Sequence, residues 1–211
     1  AVKSNRGIKG WDIDSADLIG ISALTPTATR AYEIIRQLTQ HRKTHIPIVM
    51  GGPHTTFLPE EAFQNGADFV VRGEGEKTLV ELINWMENSS EEPIEKIAGL
   101  SYQIGGKIFH NSPRLSLSSE ELDLLPFPDL SLIKGYKTKK VIPILTSRGC
   151  PWDCKFCSVT KMFGRKYRFR SVKNVIEELK ELFCQFPHSN IFFYDDNLTA
   201  NPKRIKGLLK E

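Results

Sequence analysis

The sequence predicts an α/β protein of two successive units, each built around parallel strands. Short, largely apolar segments, such as residues 46–50 and 141–145, alternate with amphipathic segments of helical periodicity. Strands that are apolar along their whole length are typical of a parallel sheet covered on both faces. The charge is also divided: residues 1–135 hold 13 Lys and Arg against 18 Asp and Glu, whereas residues 136–211 hold 16 against 7. This asymmetry favours two units with different partners.

The first unit is predicted to comprise residues 1–110, with three parallel strands separated by helices. Its first helix is expected to begin at Pro26, with Thr25 as the N-cap. Parallel sheets bind ligands at the carboxyl ends of their strands, and this edge carries seven candidate residues: Ser22, Leu24, Gly51, Gly52, His54, Gly73 and Gly75. Glycines there let a ligand lie against the backbone, although a plain βα turn explains each glycine equally well.

A hairpin and a connector are expected between the two units. Gly105 and Gly106 separate two strand-like segments, which is the spacing of a hairpin with a primed turn. Residues 111–140 contain three prolines and no sustained periodicity, so they predict a linker that runs over the surface. Its expected anchors are apolar: Leu122, Leu124, Leu125 and Phe127.

The second unit, residues 141–211, has the pattern strand, loop, helix, strand, loop, helix. Ser171 is expected to cap the first of these helices, whose apolar side is predicted to run from Val172 through Phe183 to Phe186. Because a helix joins the two strands, they should be parallel neighbours connected by a right-handed crossover. The loop after the first strand and residues 195–197 after the second should then face one ligand space.

Three of the four cysteines lie in the loop after the first strand of this unit, as Cys150, Cys154 and Cys157. Three thiolates within eight residues suit a metal ion or an iron–sulfur cluster. A structural zinc site would need a fourth ligand, and Cys184 is expected on the polar side of its helix. A disulfide framework is disfavoured, because the cysteines are crowded together and no secretory signal is recognisable.

This loop, TSRGCPWDCKFCS, with Phe156 just before the last cysteine, closely resembles the cluster loop of the radical SAM superfamily. The resemblance implies that Cys150, Cys154 and Cys157 bind a 4Fe-4S cluster, whose fourth iron chelates S-adenosylmethionine. It further implies that one-electron reduction cleaves S-adenosylmethionine to a 5′-deoxyadenosyl radical.

The same resemblance implies an S-adenosylmethionine site made by Phe156, Asp195, Asp196 and Asn197. Phe156 would lie by the adenine. The polar residues stand where the family often has Gly-Gly-Glu, and would bind the amino group of S-adenosylmethionine through charge-assisted hydrogen bonds. The alternatives are loop packing for Phe156 and a helix cap for Asp196 or Asn197.

The Ser-x-Leu, Gly-Gly-Pro-His and Gly-Glu-Gly-Glu segments of the first unit resemble the cobalamin-binding domains that are fused to radical SAM barrels. The resemblance implies that the seven candidate residues of the sheet edge line a cobalamin site. His54 is expected beside the dimethylbenzimidazole tail, with cobalt ligation as the alternative. The family's Asp-x-His-x-x-Gly loop would precede Ser22 by about 40 residues, and the family's barrels usually need more βα units than the two expected here. The sequence is therefore interpreted as truncated at both ends.

Together the resemblances imply a partial cobalamin-binding Rossmann-like sheet, followed by the first two βα units of a radical SAM partial TIM barrel. The implied enzyme methylates an unactivated carbon, and the truncated chain itself is expected to be inactive. A cyclase or other oxidoreductase of the same family is the alternative, and a zinc-containing nucleic-acid-binding module is the rival from another class. The expected partners are a small-molecule substrate and an electron donor such as flavodoxin or ferredoxin, without nucleic acid or a membrane span. An oxygen-sensitive cluster favours the cytoplasm.

Overall fold

The computed structural model describes residue 13 and residues 15–41, 46–88 and 91–211, and it divides into two compact units between Leu115 and Ser116. The predicted linker is therefore shared. Its first residues belong to the first unit, and residues 116–140 belong to the second.

The first unit contains one five-stranded sheet in the order β1-β2-β3-β4-β5. The strands are β1 (Ile19–Ser22), β2 (Ile48–Gly51), β3 (Phe69–Val71), β4 (Leu100–Ile104) and β5 (Lys107–His110). The first three are parallel, as predicted, whereas β4 and β5 form the predicted hairpin and pair antiparallel to β3. The hairpin therefore forms one side of the sheet, with β5 as the outermost strand, and Leu100 and Tyr102 of β4 are buried in the core.

The helices of this unit are α1 (Ala28–His41), α2 (Pro53–Phe57), α3 (Pro59–Gln64) and α4 (Glu76–Met86). One buried cluster includes Ile35, Leu38 and Met50, and a second includes Leu82 and Leu100.

The predicted start of the first helix is wrong, because a 3-10 turn over Thr25–Thr27 precedes α1. The hydroxyl group of Thr27 donates to the Leu24 carbonyl at 3.0 Å and accepts from the Leu24 N–H at 3.1 Å. Leu24, rather than Thr25, is therefore the N-cap residue of this turn.

The second unit has the predicted parallel pair, β6 (Val141–Ile144) and β9 (Asn190–Phe193), in which Ile144 lies opposite Phe193. Its helices are α5 (Ser119–Asp123), α6 (Val159–Phe163), α7 (Val172–Gln185) and α8 (Pro202–Leu208). The core is formed by residues from β6, from α7 and the residue that follows it, and from α8: Ile142, Ile144, Val175, Leu182, Phe186 and Leu208.

Several local predictions for this unit are tested by the structure. Ser171 caps α7 as predicted, since its side chain accepts from the Asn174 N–H at 3.2 Å. Phe183 does not belong to the buried stripe of α7, because its side chain is 55% exposed. Leu122 is buried, but Leu124 is 83% exposed and is therefore no anchor. The short antiparallel pair β7 (Ser147–Arg148) and β8 (Arg168–Phe169) was not predicted.

Among the helices that the structure describes, none has the length and apolar character needed to cross a membrane.

Candidate functional site

The cysteine loop, residues 150–157, carries three thiols that are not joined in disulfides. Cys150 and Cys157 are half-buried and Cys154 is exposed. The N–H group of Cys157 donates to the Cys154 carbonyl at 3.0 Å, which closes a turn between the last two cysteines. The described residues contain no set of three or more Cys, His, Asp or Glu side chains already converged as a metal site. The fit to an iron–sulfur cluster therefore lies in the donor chemistry and its spacing, since three thiols are available on one short loop.

Strands β7 and β8 close the base of this loop, with Ser147 opposite Phe169 and Arg148 opposite Arg168. Gly149 follows β7 with a φ of +82°, and a Cβ atom at this position would lie 2.6 Å from the Lys166 carbonyl oxygen. Only glycine combines this backbone conformation with so close an approach. Gly149, the residue before Cys150, is thus held against the backbone of Gly164 and Lys166.

The end of β9 lies beside the start of the cysteine loop, as the parallel pairing predicted. Asp195 accepts hydrogen bonds from the Thr146 N–H at 3.2 and 3.3 Å and from the Thr146 hydroxyl group at 2.9 Å. It also accepts from the Ser147 hydroxyl group. The Asn197 side-chain amide points at the Cys150 sulfur, with an Nδ2–Sγ distance of 3.7 Å. The two loops therefore share one edge of the β6–β9 sheet.

Asp196 has a different environment from Asp195. Its side chain is exposed, yet neighbouring protein atoms partly desolvate the carboxyl group, which raises the pKa of Asp196, and the charge of Asp195 raises it further. The alternative role as a cap of the last helix is wrong for both Asp196 and Asn197. The side chain of Asn201 caps α8 instead, accepting from the Arg204 N–H at 3.1 Å.

Phe156 is 93% exposed, and Trp152 in the same loop is 64% exposed. Phe156 therefore does not pack inside its own loop, which was the alternative interpretation. An exposed aromatic ring next to the last cysteine suits stacking against a planar ligand. Its contact with adenine stays a prediction.

Four charged residues behind the cysteine loop were missed by sequence reasoning: Arg168, Arg170, Glu178 and Arg204, of which only Arg170 is not fully buried. Arg170 forms an ion pair with Glu178, and its Nη1 donates to the Leu145 carbonyl at 3.0 Å. Arg204 donates to the Thr146 carbonyl at 3.0 Å. A signal was present in the sequence, since Glu178 lies three residues after Val175 and four before Leu182, on the buried side of α7.

In the first unit, the ends of β1 and β2 meet as predicted, with Ser22 paired to Gly51. Gly52 has a φ of +91°, and a Cβ atom there would lie 2.7 Å from the Ser22 hydroxyl oxygen and 2.9 Å from the Ala23 carbonyl oxygen. The backbone at Gly52 thus approaches Ser22 as closely as a residue without a side chain allows. Leu24 follows at this edge and is 49% exposed.

The two glycines after β3 have different structural reasons. Gly73 has a φ of +74°, and a Cβ atom built on it would meet no described atom within 4 Å, so its backbone faces open space. Its N–H group donates to the Thr56 hydroxyl group at 3.0 Å. Gly75 precedes α4, where a Cβ atom would lie 3.1 Å from Val71. The open backbone at Gly73 fits a bulky ligand above the strand ends, whereas Gly75 is explained by packing.

His54 is buried, with 4% of its surface exposed. Its Nδ1 lies 3.3 Å from the Thr25 hydroxyl group, and its Nε2 lies 3.0 Å from the Tyr32 hydroxyl group and 3.2 Å from a Glu61 carboxylate oxygen. Burial raises the pKa of Tyr32, and the charge of Glu61 raises it further. Both ring nitrogens thus have partners inside the unit. Cobalt ligation would require breaking these contacts, and a contact with the cobalamin tail stays a prediction.

Comparison with known proteins gives two family matches in the order of the two units. The B12 binding domain matches residues 13–83, and the Radical SAM superfamily matches residues 144–211.

Three relatives align along nearly the whole chain. Uncharacterized methyltransferase PH0819 of Pyrococcus horikoshii is 38% identical over 89% of this chain and 41% of its own length. Bacteriochlorophyllide d C-8(2)-methyltransferase of Chlorobaculum tepidum is 31% identical over 92% of this chain and 42% of its own length. An anaerobic magnesium-protoporphyrin IX monomethyl ester cyclase of Cereibacter sphaeroides is 29% identical over 92% of this chain and 32% of its own length. The chain spans less than half the length of these relatives.

Two solved structures are similar. The cobalamin-dependent S-adenosylmethionine radical enzyme OxsB with aqua-cobalamin has a TM-score of 0.75 and 25% identity, over 94% of this chain and 29% of that one. The radical S-adenosylmethionine methyltransferase TsrM from Kitasatospora setae has a TM-score of 0.72 and 20% identity, over 93% of this chain and 40% of that one. The TsrM likeness shows the fold alone.

These matches cover both units, and none of them indicates the rival zinc-containing nucleic-acid-binding module. The fold is therefore a B12-binding Rossmann-like sheet followed by βα units of the radical SAM type. The chain belongs to the radical SAM superfamily, among the members that carry an N-terminal B12-binding domain.

Proposed function

We propose that this chain supplies the cobalamin-binding unit and the cluster-binding part of an enzyme that methylates an unactivated carbon. One observation carries the proposal: the three-cysteine loop and residues 195–197 share a sheet edge, where the Asn197 amide points at Cys150. The methyltransferase names of the relatives from Pyrococcus horikoshii and Chlorobaculum tepidum support methylation as the reaction.

Three groups of residues would hold the cofactors. Cys150, Cys154 and Cys157 would ligate a 4Fe-4S cluster, Asp196 and Asn197 would bind S-adenosylmethionine beside it, and the edge from Ser22 to Gly73 would hold cobalamin. When bound, these groups supply reductive cleavage of S-adenosylmethionine to a 5′-deoxyadenosyl radical and a carrier for the methyl group.

The chain's own residues would bind the cofactors and orient them. The exposed carboxyl group of Asp196 would accept a charge-assisted hydrogen bond from an ammonium group, which is stronger than a bond between neutral groups. Asn197 would hold Cys150 in position through its amide. The open backbone at Gly73 would leave room for the cobalamin ring. Gly52 and Ser22, which approach each other too closely for a side chain at residue 52, would line another part of the same site.

We further propose that a one-electron donor such as flavodoxin or ferredoxin docks at the cysteine loop. Cys154 is exposed, and so are four basic side chains on and after the loop: Lys155, Lys161, Arg165 and Lys166. Such a surface suits an acidic redox protein, because complementary charge raises the rate of association. An exposed, oxygen-sensitive cluster also supports a location in the reducing cytoplasm.

Anaerobic reconstitution with iron and sulfide tests the cluster assignment. We expect about four irons per chain, with a charge-transfer absorption that is lost when Cys150, Cys154 or Cys157 is changed to Ala. Cys184→Ala is the matched control, because this exposed cysteine lies on α7, outside the loop. One tightly held zinc and no iron would refute the proposal.

A cyclase of the same family is the second candidate, since the cyclase from Cereibacter sphaeroides aligns with 92% of this chain. The full-length enzyme and S-adenosylmethionine labelled in its methyl group separate the two reactions. Label in the product supports methylation. Formation of 5′-deoxyadenosine with an unlabelled product supports cyclisation or oxidation.

A further inference from the structure

The two residues that lead from β6 into the cysteine loop are held in an unusual way. Thr146 is fully buried, and Ser147 is 2% exposed. The carboxylate of Asp195 accepts from three donors on them: the Thr146 N–H, the Thr146 hydroxyl group and the Ser147 hydroxyl group. Most of these contacts fall on Oδ1, whereas Oδ2 has only the shared Thr146 N–H at 3.3 Å. One oxygen of Asp195 is therefore committed to the residues that lead into the loop.

The carbonyl oxygen of Thr146 is held from the other direction by Arg204 and Arg170. Arg204 Nη2 donates to it at 3.0 Å, and the Arg170 N–H donates to it at 3.0 Å. Arg204 comes from α8 and is only 8% exposed. Its guanidinium group also donates to the Arg170 carbonyl at 3.2 Å and lies 5.2 Å from the centre of the Phe169 ring.

The burial of Arg204 costs free energy, because part of its guanidinium group has no hydrogen-bond partner in the portion of the chain that the structure describes. Its Nε and Nη1 have no hydrogen-bond partner among the described residues, and no described carboxylate forms an ion pair with it. Buried donors without partners each cost free energy, so native proteins keep few of them, and each asks for an explanation. What Arg204 contributes at this buried position is the hydrogen bond from Nη2 to the Thr146 carbonyl oxygen. No other charged side chain in the described part of the chain donates to that oxygen.

Thr146 therefore lies between opposite charges, with Asp195 on its N–H and hydroxyl groups and Arg204 on its carbonyl oxygen. The contacts orient the backbone on both sides of one residue, and hydrogen bonds to charged groups are stronger than those between neutral groups. Four residues further along the chain is Cys150, whose sulfur lies 3.7 Å from the Asn197 amide nitrogen.

We propose that Asp195 and Arg204 are positioning residues that fix the backbone at Thr146 and so direct Cys150 toward its ligand position beside Asn197. This assignment gives Asp195 a role behind the loop, which the resemblance did not imply. It rests on the proposed function in taking the loop to bind an iron–sulfur cluster.

The test compares Asp195→Ala, Asp195→Asn, Arg204→Met and Arg204→Lys, with Lys203→Met as the matched control on the exposed side of α8. Thiol alkylation of the metal-free chain is followed residue by residue by mass spectrometry. We expect Asp195→Ala and Arg204→Met to raise the alkylation rate of Cys150 relative to Cys157 about fivefold, as for the loss of one hydrogen bond. Asp195→Asn and Arg204→Lys should restore part of the difference, since each keeps one hydrogen-bonding group.

Reconstituted variants provide a second readout, the electron paramagnetic resonance spectrum of the reduced cluster. Displacement of one ligand should shift that spectrum in the Asp195 and Arg204 variants and leave it unchanged in Lys203→Met. Equal acceleration of Cys150 and Cys157, with an unchanged spectrum, would show general loosening and overturn the proposal. If Asp195→Ala fails to fold, Asp195→Asn decides by the same criteria. If the wild-type chain takes up no iron, the proposed function fails, while the alkylation ratio still tests the positioning role.

Discussion

At the scale of single residues, the sites depend on backbone positions that only glycine can occupy. Gly52 and Gly149 both have positive φ angles and lie so close to neighbouring backbone that a Cβ atom would come within 3 Å of it. Gly73 shares the positive φ but faces open space. The same residue type therefore serves close approach at two positions and an accessible backbone at the third.

Gly149→Ala should destabilise the second unit by about 2 kcal/mol, because it adds a clash with the Lys166 carbonyl to the strain of a positive φ. Gly164→Ala is the matched control, because Gly149 and Gly164 both lie in the segment between β7 and β8. Gly164 has a φ of +79° and a ψ of 172°, with open space around the Cβ position, so the substitution should cost backbone strain alone, about 1 kcal/mol. Urea unfolding of the metal-free chain measures both. Equal losses of stability would show that the close approach to Lys166 is unimportant.

Asp196→Asn should have opposite effects on stability and on ligand binding. Because folding raises the pKa of Asp196, the folded chain binds its proton more tightly than the unfolded chain, and stability falls as pH rises above the ordinary aspartate range. Removing this exposed charge should stabilise the chain at pH 7 by about 0.5 kcal/mol or less. The gain should disappear below about pH 3, where both states are protonated.

The same substitution should weaken S-adenosylmethionine binding to the reconstituted chain about tenfold, by loss of one charge-assisted hydrogen bond. Thermal unfolding across pH and equilibrium dialysis of labelled S-adenosylmethionine give the two measurements. A variant that is less stable at pH 7 would contradict the pKa argument, and unchanged binding would remove Asp196 from the site.

At the scale of elements, α7 combines an apolar face with a buried charge. Glu178 is 5% exposed between Val175 and Leu182, and its ion pair with Arg170 connects the helix to the chain that returns from the cysteine loop. Arg170 in turn donates to the Leu145 carbonyl at the end of β6. The helix therefore supports the loop through side chains as well as through the core.

Glu178→Ala should destabilise the metal-free chain by about 3 kcal/mol, because it leaves the largely buried Arg170 guanidinium without its counter-ion. Glu177→Ala is the control on the same helix. Among the described residues, Glu177 forms only an exposed ion pair with Lys173 at 3.9 Å, so its loss should cost less than about 0.5 kcal/mol. Urea unfolding with near-ultraviolet detection compares the two variants. Similar small losses would mean that the buried pair contributes nothing to stability.

At the scale of the whole molecule, the chain consists of two compact units with separate cores. The candidate cluster site belongs to the second unit, and the candidate cobalamin site belongs to the first. Each site is formed where strands of a parallel pair end, which is the usual place for ligands in α/β sheets.

Binding of the cluster should therefore stabilise the second unit selectively, because a ligand stabilises only the structure that binds it. Hydrogen exchange should show at least about tenfold greater protection after reconstitution in residues 146–170 and at the end of β9. Strands β1 to β5 should change little. Removal of the cluster with a chelator and an oxidant should reverse the effect. An equal increase in protection in both units would contradict the selective stabilisation of the second unit.

The sequence alone was sufficient for the α/β class, the parallel strands, the hairpin and the three-cysteine loop. These features have local signals: apolar runs, helical periodicity, a Gly-Gly turn and the spacing of three thiols. The tertiary structure decided which side chains meet. Asp195 contacts Thr146 across 49 residues of sequence, and Arg204 contacts it across 58. Such contacts depend on the alignment of β6 with β9 and on the return of the chain through β8. No local pattern encodes them, because they exist only when distant segments pack together.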